Sequence, residues 1–505
     1  MLAQVYAAAL VGIETQLVEV EVDVQMQGLP GWSMVGLLET AVKEARDRVL
    51  PALRNSGYKL LNRRTIVNLA PGNVKKSGAH FDLPIAIGML TAWNICKPHP
   101  DKRYLLAGEL SLTGELLPIN GALLMAIAAR AHQLTGIILP VQNEEEAKLV
   151  TSTEVVGFST LTEVVQFLNG EFVPTKQMPP KKQKRTAPPL NFGEVRGQPI
   201  AKRALEIAAA GGHNILMVGT PGSGKTMLAE RLPTILPPLT SEEKLETMKV
   251  LSLHGLLHDT ILSDERPFRA PHHSASYAGL IGGGGGIPKL GEISLAHNGV
   301  LFMDELAEFN RNVLEVLRQP LESGLVRLVR TGASVTYPAR FMLVAAMNPC
   351  PCGYYGHPKR ACICNMHRIQ HYRRKVSGPL IDRIDIHIEV EPVPHKDLMG
   401  DKPTETSEMI KQRVLAARKI QEARYDSRIG CNAQLHARDL KKFCPFKGNA
   451  ESLLEKATEK MHLSARSTHR VLKIARTIAD LESSDALGPP HIAEALQYRP
   501  TDDVH

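Results

Sequence analysis

Gly219-Thr220-Pro221-Gly222-Ser223-Gly224-Lys225-Thr226 matches G-x-x-x-x-G-K-[ST] at every fixed position. The run before it, Asn214 to Gly219, is apolar and reads as a strand; Met227 to Leu232 after it reads as a helix. In that setting the glycines let successive backbone N–H groups cradle phosphates. Lys225 can reach the β- and γ-phosphates, and the Thr226 hydroxyl can complete a Mg²⁺ shell. The helix N-terminus adds its own affinity for anions. This stretch predicts an α/β nucleoside-triphosphate-binding core, and the rest of the chain is placed relative to it.

The chain has 505 residues, too many for one ordinary hydrophobic core, so about three domains are expected. A net charge of +8 favours a polyanionic partner such as DNA, although a nucleotide site alone can account for local basicity. No stretch reaches the roughly 18 apolar residues of a membrane span, and no basic secretory leader opens the chain. A cytoplasmic protein without membrane contact is expected.

Residues 171–191 are rich in Pro and Lys, lack apolar periodicity and read as a linker. Ahead of it, residues 1–170 read as an α/β domain. Val18, Val20, Val22, Val24 and Met26 alternate with polar residues as in a half-buried strand. Helices are expected at about 38–55 and 83–95, and further strands at about 64–70 and 104–119. Residues 192–395 alternate strand and helix, the pattern of a largely parallel sheet covered on both faces. From 396 to 505 the pattern is helical, with Val471, Leu472, Ile474, Ala475, Ile478 and Leu481 forming one apolar stripe.

Several residues outside the loop carry chemistry. Val300 to Met303 form a short apolar strand that ends in Asp304-Glu305. Asp304 can hold Mg²⁺ beside Thr226, and Glu305 can polarise an attacking water. A second apolar strand, Phe341 to Met347, ends at Asn348, whose amide can bond the γ-phosphate or the water. Arg383 stands just before the last predicted strand of the sheet, where it can neutralise transition-state charge, and such an arginine can come from a neighbouring subunit. Arg466 and Arg470 are candidates for a second phosphate-sensing arginine.

These motifs, in this order, resemble the AAA+ ATPases of the magnesium-chelatase-related group, and within it the ComM/YifB family. The stretches that carry the resemblance are residues 28–36 (GLPGWSMVG), 269–276 (RAPHHSAS), 291–305 (GEISLAHNGVLFMDE) and 337–352 (YPARFMLVAAMNPCPC). The resemblance implies that Lys225 and Thr226 are Walker A, Asp304 and Glu305 Walker B, Asn348 sensor 1, Arg383 the arginine finger and Arg466 sensor 2. It places Gln198, in Val195-Arg196-Gly197-Gln198, beside the adenine. It also implies an AAA+ P-loop core with a C-terminal helical lid, a hexameric ring, ATP with Mg²⁺, and DNA translocation that promotes branch migration during recombination of transforming DNA.

Residues 1–170 resemble the Lon-protease-like (S5-like) α/β domain, most clearly in Leu106 to Gly121. The serine and lysine positions of the Lon pair fall at His80 and near Met125, and neither can serve as nucleophile or base. A proteolytically inactive fold is expected there. ATP-dependent proteolysis is accordingly the least favoured function, behind a DNA helicase and behind a magnesium-chelatase-type protein-remodelling ATPase.

Cys350, Cys352, Cys362 and Cys364 crowd into one insertion and suggest a structural Cys₄ Zn²⁺ site, with His357 and His367 as alternative ligands. Two further segments are candidates for contact with DNA. One is the loop around Gly282 to Gly286, with Tyr277 before it and Lys289 after it. The other is a hairpin expected to turn near Gly332 and to carry Arg327 and Arg330 on its first strand.

Overall fold

The computed structural model describes residues 1–25, 29–61, 63–171, 190–257, 264–284, 288–330, 333–394, 404–425 and 429–499. Nearly all of the Pro/Lys-rich stretch, part of the run Gly282 to Gly286, Gly332, Met26 of the expected alternation and Gly28 of the resemblance lie outside those residues.

Two sheets organise the protein. The first contains β1 (Leu2–Val11), β2 (Glu14–Gln25), β3 (Gly31–Val35), β4 (Arg64–Ala70), β5 (Tyr104–Leu106), β6 (Gly136–Pro140) and β7 (Glu154–Phe158). Its order is β7-β6-β5-β1-β2-β4-β3. The alternation expected of β2 is realised: Val18, Val20, Val22 and Val24 are fully buried, with Val20 opposite Val5 on one side and Leu69 on the other. The helix Asp82–Ala92 packs on β1 and β2, and every residue of it except Thr91 is buried. An apolar segment without a polar face is stable only in such a sandwiched position. The strand expected over 104–119 is broken into three short pieces, Tyr104–Leu106, Glu109–Leu110 and Leu116–Leu117. The turn around Gly114, at φ +89°, interrupts it.

The second sheet contains β8 (Ile215–Gly219), β9 (Phe268–Arg269), β10 (Val300–Met303), β13 (Met342–Met347) and β14 (Ile386–Val390), while β11 (Leu325–Arg330) and β12 (Ala333–Pro338) form a separate hairpin. The sheet order is β9-β10-β13-β8-β14 and every pairing is parallel. Met342 to Met347 are all buried, which is why this strand reads as one continuous apolar run rather than an alternating one.

The helices Ser407–Arg424, Ala450–Lys460, Ala465–Leu481 and Pro489–Gln497 follow. Of the expected stripe, Val471, Ile474, Ala475 and Ile478 are fully buried and share one core with β8 and the helix Pro199–Gly211. Asp480 is buried there with two arginines, Arg476 at 2.9 Å and Arg424 at 3.0 Å. Two guanidinium groups on one carboxylate offset the cost of taking that charge out of water.

The two sheets are joined through the helices Ala122–Ala131 and Ser241–His254. The Gly121 amide donates to the Ser252 carbonyl at 3.0 Å, the Ser252 hydroxyl donates to buried Glu146, and Leu257 is fully buried among residues of the first sheet. The β1–β2 turn touches the β11–β12 hairpin, where a Cβ on Gly12 would lie 2.4 Å from Val335 Cγ1.

Candidate functional site

In a parallel sheet all carboxyl ends lie on one edge, and ligands bind in the crevice outside that edge. Here that rule gathers three segments distant in sequence. The phosphate loop follows β8, Asp304-Glu305 follow β10, and Asn348 follows β13. Thr226 Oγ1 donates to Asp304 Oδ2 at 2.6 Å across 78 positions. Lys225 Nζ donates to the carbonyls of Gly219 at 2.7 Å and Thr220 at 3.0 Å, and reaches Asn348 Oδ1 at 3.4 Å. Burial pulls the Lys225 pKa below its ordinary value, against the attraction of Asp304 and Glu305.

The loop fits a triphosphate. Gly222 and Gly224 sit at φ +77° and +92°, a region that favours glycine, and their conformation turns the loop amides inward. The Thr220 and Ser223 hydroxyls are buried without a hydrogen-bond partner, donors that phosphate oxygens would satisfy. Gln198 donates from Nε2 to the Ser223 carbonyl at 3.2 Å and to the Glu391 carbonyl, so it ties the loop to the segment after β14. Beside it, Gly197 and Pro199 line an open pocket of about 510 Å³ together with Lys202, Arg203, Glu206 and Arg413.

Glu305 has φ +51°, in the left-handed region uncommon for a side-chain-bearing residue. Its carboxylate lies 3.1 Å from His273 Nδ1, and the His273 ring packs against His272 with centroids 4.1 Å apart. His273 was missed as a site residue by motif reading, because its place beside Glu305 comes from the pairing of β9 with β10.

Arg383 and Arg466 are together, and they are not beside the phosphate loop. Both bond Glu322 Oε1, Arg466 at 2.9 Å. Asn214, just ahead of β8, donates to the Arg383 carbonyl at 3.0 Å. Arg383 is thus anchored at the amino end of the strand whose carboxyl end carries the phosphate loop. A strand of this length spans about 16 Å, more than an arginine side chain reaches. Arg470, the other candidate, is buried with Nε 3.5 Å from Asp385 Oδ1, and burial lowers its pKa to about 10. It is committed to the interior, which leaves Arg466 exposed for contact. Glu322 carries no motif signal and was also missed.

The four cysteine sulfurs lie within 4.8 Å of one another. Cys350 is 3.3 Å from Cys352 and 3.6 Å from Cys362, and Cys352 is 3.5 Å from Cys362. Four thiolates around a tetrahedral ion at Zn–S of about 2.3 Å are separated by about 3.8 Å, so the donor set fits Zn²⁺. His357 instead accepts from the amides of Lys359 and Arg360 at 3.0 Å, which leaves the cysteines as the better ligand set.

In the hairpin, Val326 and Leu328 are buried and Arg327 is exposed on the opposite face. Arg330 lies near the turn, where a Cβ on Gly283 would be 4.0 Å from its Nη2. Lys289 pairs with Gly283, and the Tyr337 hydroxyl donates to the Pro288 carbonyl at 2.6 Å. The glycine-rich segment and the hairpin therefore form one surface. Tyr277 is exposed.

His80 is buried, with Nε2 2.9 Å from the Ala8 carbonyl and its pKa lowered to about 4 by burial. Met125 is fully buried. Both positions are occupied by core residues. Among the described residues no helix is long and apolar enough to cross a membrane.

Family models cover most of the chain: "Subunit ChlI of Mg-chelatase" matches residues 20–143, "Magnesium chelatase, subunit ChlI" 191–398, and "Magnesium chelatase, subunit ChlI C-terminal" 404–499. The Competence protein ComM of Haemophilus influenzae is 45% identical, over 99% of this chain and 97% of its own length. The YifB protein of Escherichia coli is 43% identical over the same shares. The Magnesium-chelatase 67 kDa subunit of Chlorobaculum tepidum is 29% identical over 32% of this chain and 23% of its own. With the phosphate loop, the strand-end carboxylates and Asn348 already gathered on one edge of a parallel sheet, the chain belongs to the ComM/YifB family of magnesium-chelatase-related ATPases.

Proposed function

We propose that this protein is an ATP-driven DNA motor that works as a hexameric ring, a helicase promoting branch migration while transforming DNA is integrated. The observation that carries the ring is the separation of the two halves of the hydrolytic site. Lys225, Thr226, Asp304, Glu305 and Asn348 stand at one end of β8, and Arg383 with Arg466 at the other. Arginines that cannot reach their own phosphates serve a neighbouring copy.

In this reading the phosphate loop holds ATP, with Gln198 on the adenine side. Thr226 and Asp304 would hold Mg²⁺, which would supply charge neutralisation at the phosphates. Glu305 accepts a proton from the attacking water, Asn348 orients that water, and Arg383 and Arg466 of the adjacent subunit meet the charge that develops on the γ-phosphate. The architecture we assign is a Lon-like, proteolytically inactive domain over 1–170, a linker over 171–191, an AAA+ core over 192–395 with a zinc-holding insertion at 350–364, and a helical lid over 396–505.

DNA as the track is favoured by exposed Arg330 and Lys289 beside the glycine-rich segment, by exposed Arg327 on the other face of the same hairpin strand, and by the name of the Haemophilus relative. The magnesium-chelatase reading, remodelling of a protein partner, is supported by the family models and by exposed Tyr277, which opens the helix Tyr277–Ile281 just before the glycine-rich segment. One assay separates the two: ATP turnover with and without DNA, alongside DNA binding by ATP-loaded Glu305→Gln protein. Stimulation and binding are expected. Absence of both would refute the DNA-motor reading.

A further inference from the structure

The segment from Cys350 to Cys364 has little to hold it by ordinary packing. It contains no helix or strand, only Cys350 and Gly353 are buried, and Ile363 is 84% exposed. Burial of so little apolar surface cannot fix fifteen residues against their conformational entropy. Yet the backbone is arranged around the sulfurs: the Tyr355 amide donates to Cys350 Sγ at 3.3 Å and the Cys364 amide to Cys362 Sγ at 3.4 Å. A metal cross-link between four thiolates is the interaction large enough to hold this geometry.

The knuckle also touches the nucleotide site. It starts two residues after Asn348, which accepts from Lys225. Gly353, at φ +84°, lies flat on the phosphate loop: a Cβ there would stand 2.6 Å from both Cγ and Cδ of Pro221 and 4.0 Å from Asn348 Cγ. On the far side, Arg373, the last residue of the helix Met366–Arg373, donates to the Pro349 carbonyl at 3.3 Å and its guanidinium covers the Tyr355 ring at 5.3 Å, so the knuckle is wedged between that helix and the loop.

We propose that the four-cysteine knuckle, when it holds Zn²⁺, is a prop for the phosphate loop through the contact of Gly353 with Pro221, so that metal occupancy sets nucleotide affinity. Metal binding converts thiols to thiolates and releases their protons; no redox step is involved. Loss of the ion frees the knuckle, and Pro221 and Asn348 lose a wall. The knuckle is thereby part of the nucleotide pocket as well as a structural clip. Gly353 and Pro221 act as positioning residues.

This inference rests on the ATPase reading and is tested with the full chain, by zinc content and by the Kd of a fluorescent ATP analogue with Mg²⁺ supplied. One zinc per chain is expected. Its removal by a chelator, followed by dialysis and return of Mg²⁺, should weaken nucleotide binding at least tenfold, with recovery on adding Zn²⁺. Since a Cys362→Ser protein can fail to fold, Gly353→Ala provides the second arm: it keeps all four thiols and its zinc but loses about tenfold in affinity, and much less in a Pro221→Ala background. Nucleotide affinity independent of zinc, a wild type without zinc, or an equal Gly353→Ala effect in both backgrounds overturns the proposal alone. A zinc-loaded wild type that binds no nucleotide overturns the ATPase reading and this inference with it.

Discussion

His273 holds Glu305: its Nδ1 lies 3.1 Å from Glu305 Oε2, on a segment that leads directly into the glycine-rich surface. The pair is half-exposed, so the restraint is worth on the order of 1 kcal/mol. In the proposed mechanism, Glu305 bonded to His273 is diverted from the attacking water. His273→Ala is therefore expected to raise turnover without DNA about threefold and to reduce the further gain on adding DNA. A fall in basal turnover would mean that His273 positions Glu305 for the reaction.

Glu305→Gln keeps the shape of the site and, in the proposed mechanism, removes the proton acceptor. Hydrolysis should fall about 10²- to 10⁴-fold while ATP affinity stays within a few-fold of wild type. Lys225→Ala, by contrast, should lose ATP binding itself. Comparing nucleotide Kd with turnover for the two variants separates these roles.

Arg383 and Arg466 share Glu322, and Arg383 is anchored at the end of β8 remote from the phosphate loop. Arg383→Ala should cost about 10³-fold or more in turnover without changing ATP affinity greatly. Mixing Arg383→Ala with Lys225→Ala protein should restore part of the activity, because each supplies the half that the other lacks. Failure of every mixing ratio to restore activity would contradict sharing of the site between copies.

Removing a phosphate contact weakens DNA binding for all sequences and flattens its salt dependence. Arg327→Ala and Arg330→Ala should each lower the slope of log K against log salt by about 1. An unchanged slope, measured by fluorescence anisotropy over a salt series, would move the DNA surface elsewhere.

Burial lowers the pKa of His387 to about 4 from 6.5, with Arg499 acting in the same direction. A depressed folded-state pKa gives stability that is present above 6.5 and is lost as pH falls through 4, about 3 kcal/mol in all. His80 behaves likewise. Asp82, raised to about 6 by burial despite its bond to Arg48 at 2.6 Å, acts in the opposite sense: its protonated form is favoured in the fold, so acidification below 6 offsets part of the loss. The melting temperature should fall between pH 6.5 and 4.5, and His387→Gln should reduce that fall.

The phosphate loop, the strand-end carboxylates and the apolar stripe of the helix Ala465–Leu481 were all legible in the chain, because each depends on neighbours within a few positions: glycine conformations, runs of buried strand, 3.6-residue spacing. Arg466 and Arg470 show where that ends. They stand four residues apart on one helix, yet Asp385 takes Arg470 into the interior and Glu322 holds Arg466 at the surface. Arg327 and Arg330 likewise look equivalent in sequence but take opposite faces of their strand. The contacts of His273 with Glu305 and of Gly353 near Pro221 join segments that only the parallel strand order brings to one edge. Local chemistry thus determined that the chain carries a phosphate-binding loop and strand-end carboxylates of the kind a nucleotide site uses. The tertiary structure decided which arginines remain available and that they lie at the far end of β8, since burial and strand order depend on long-range packing that no local spacing encodes.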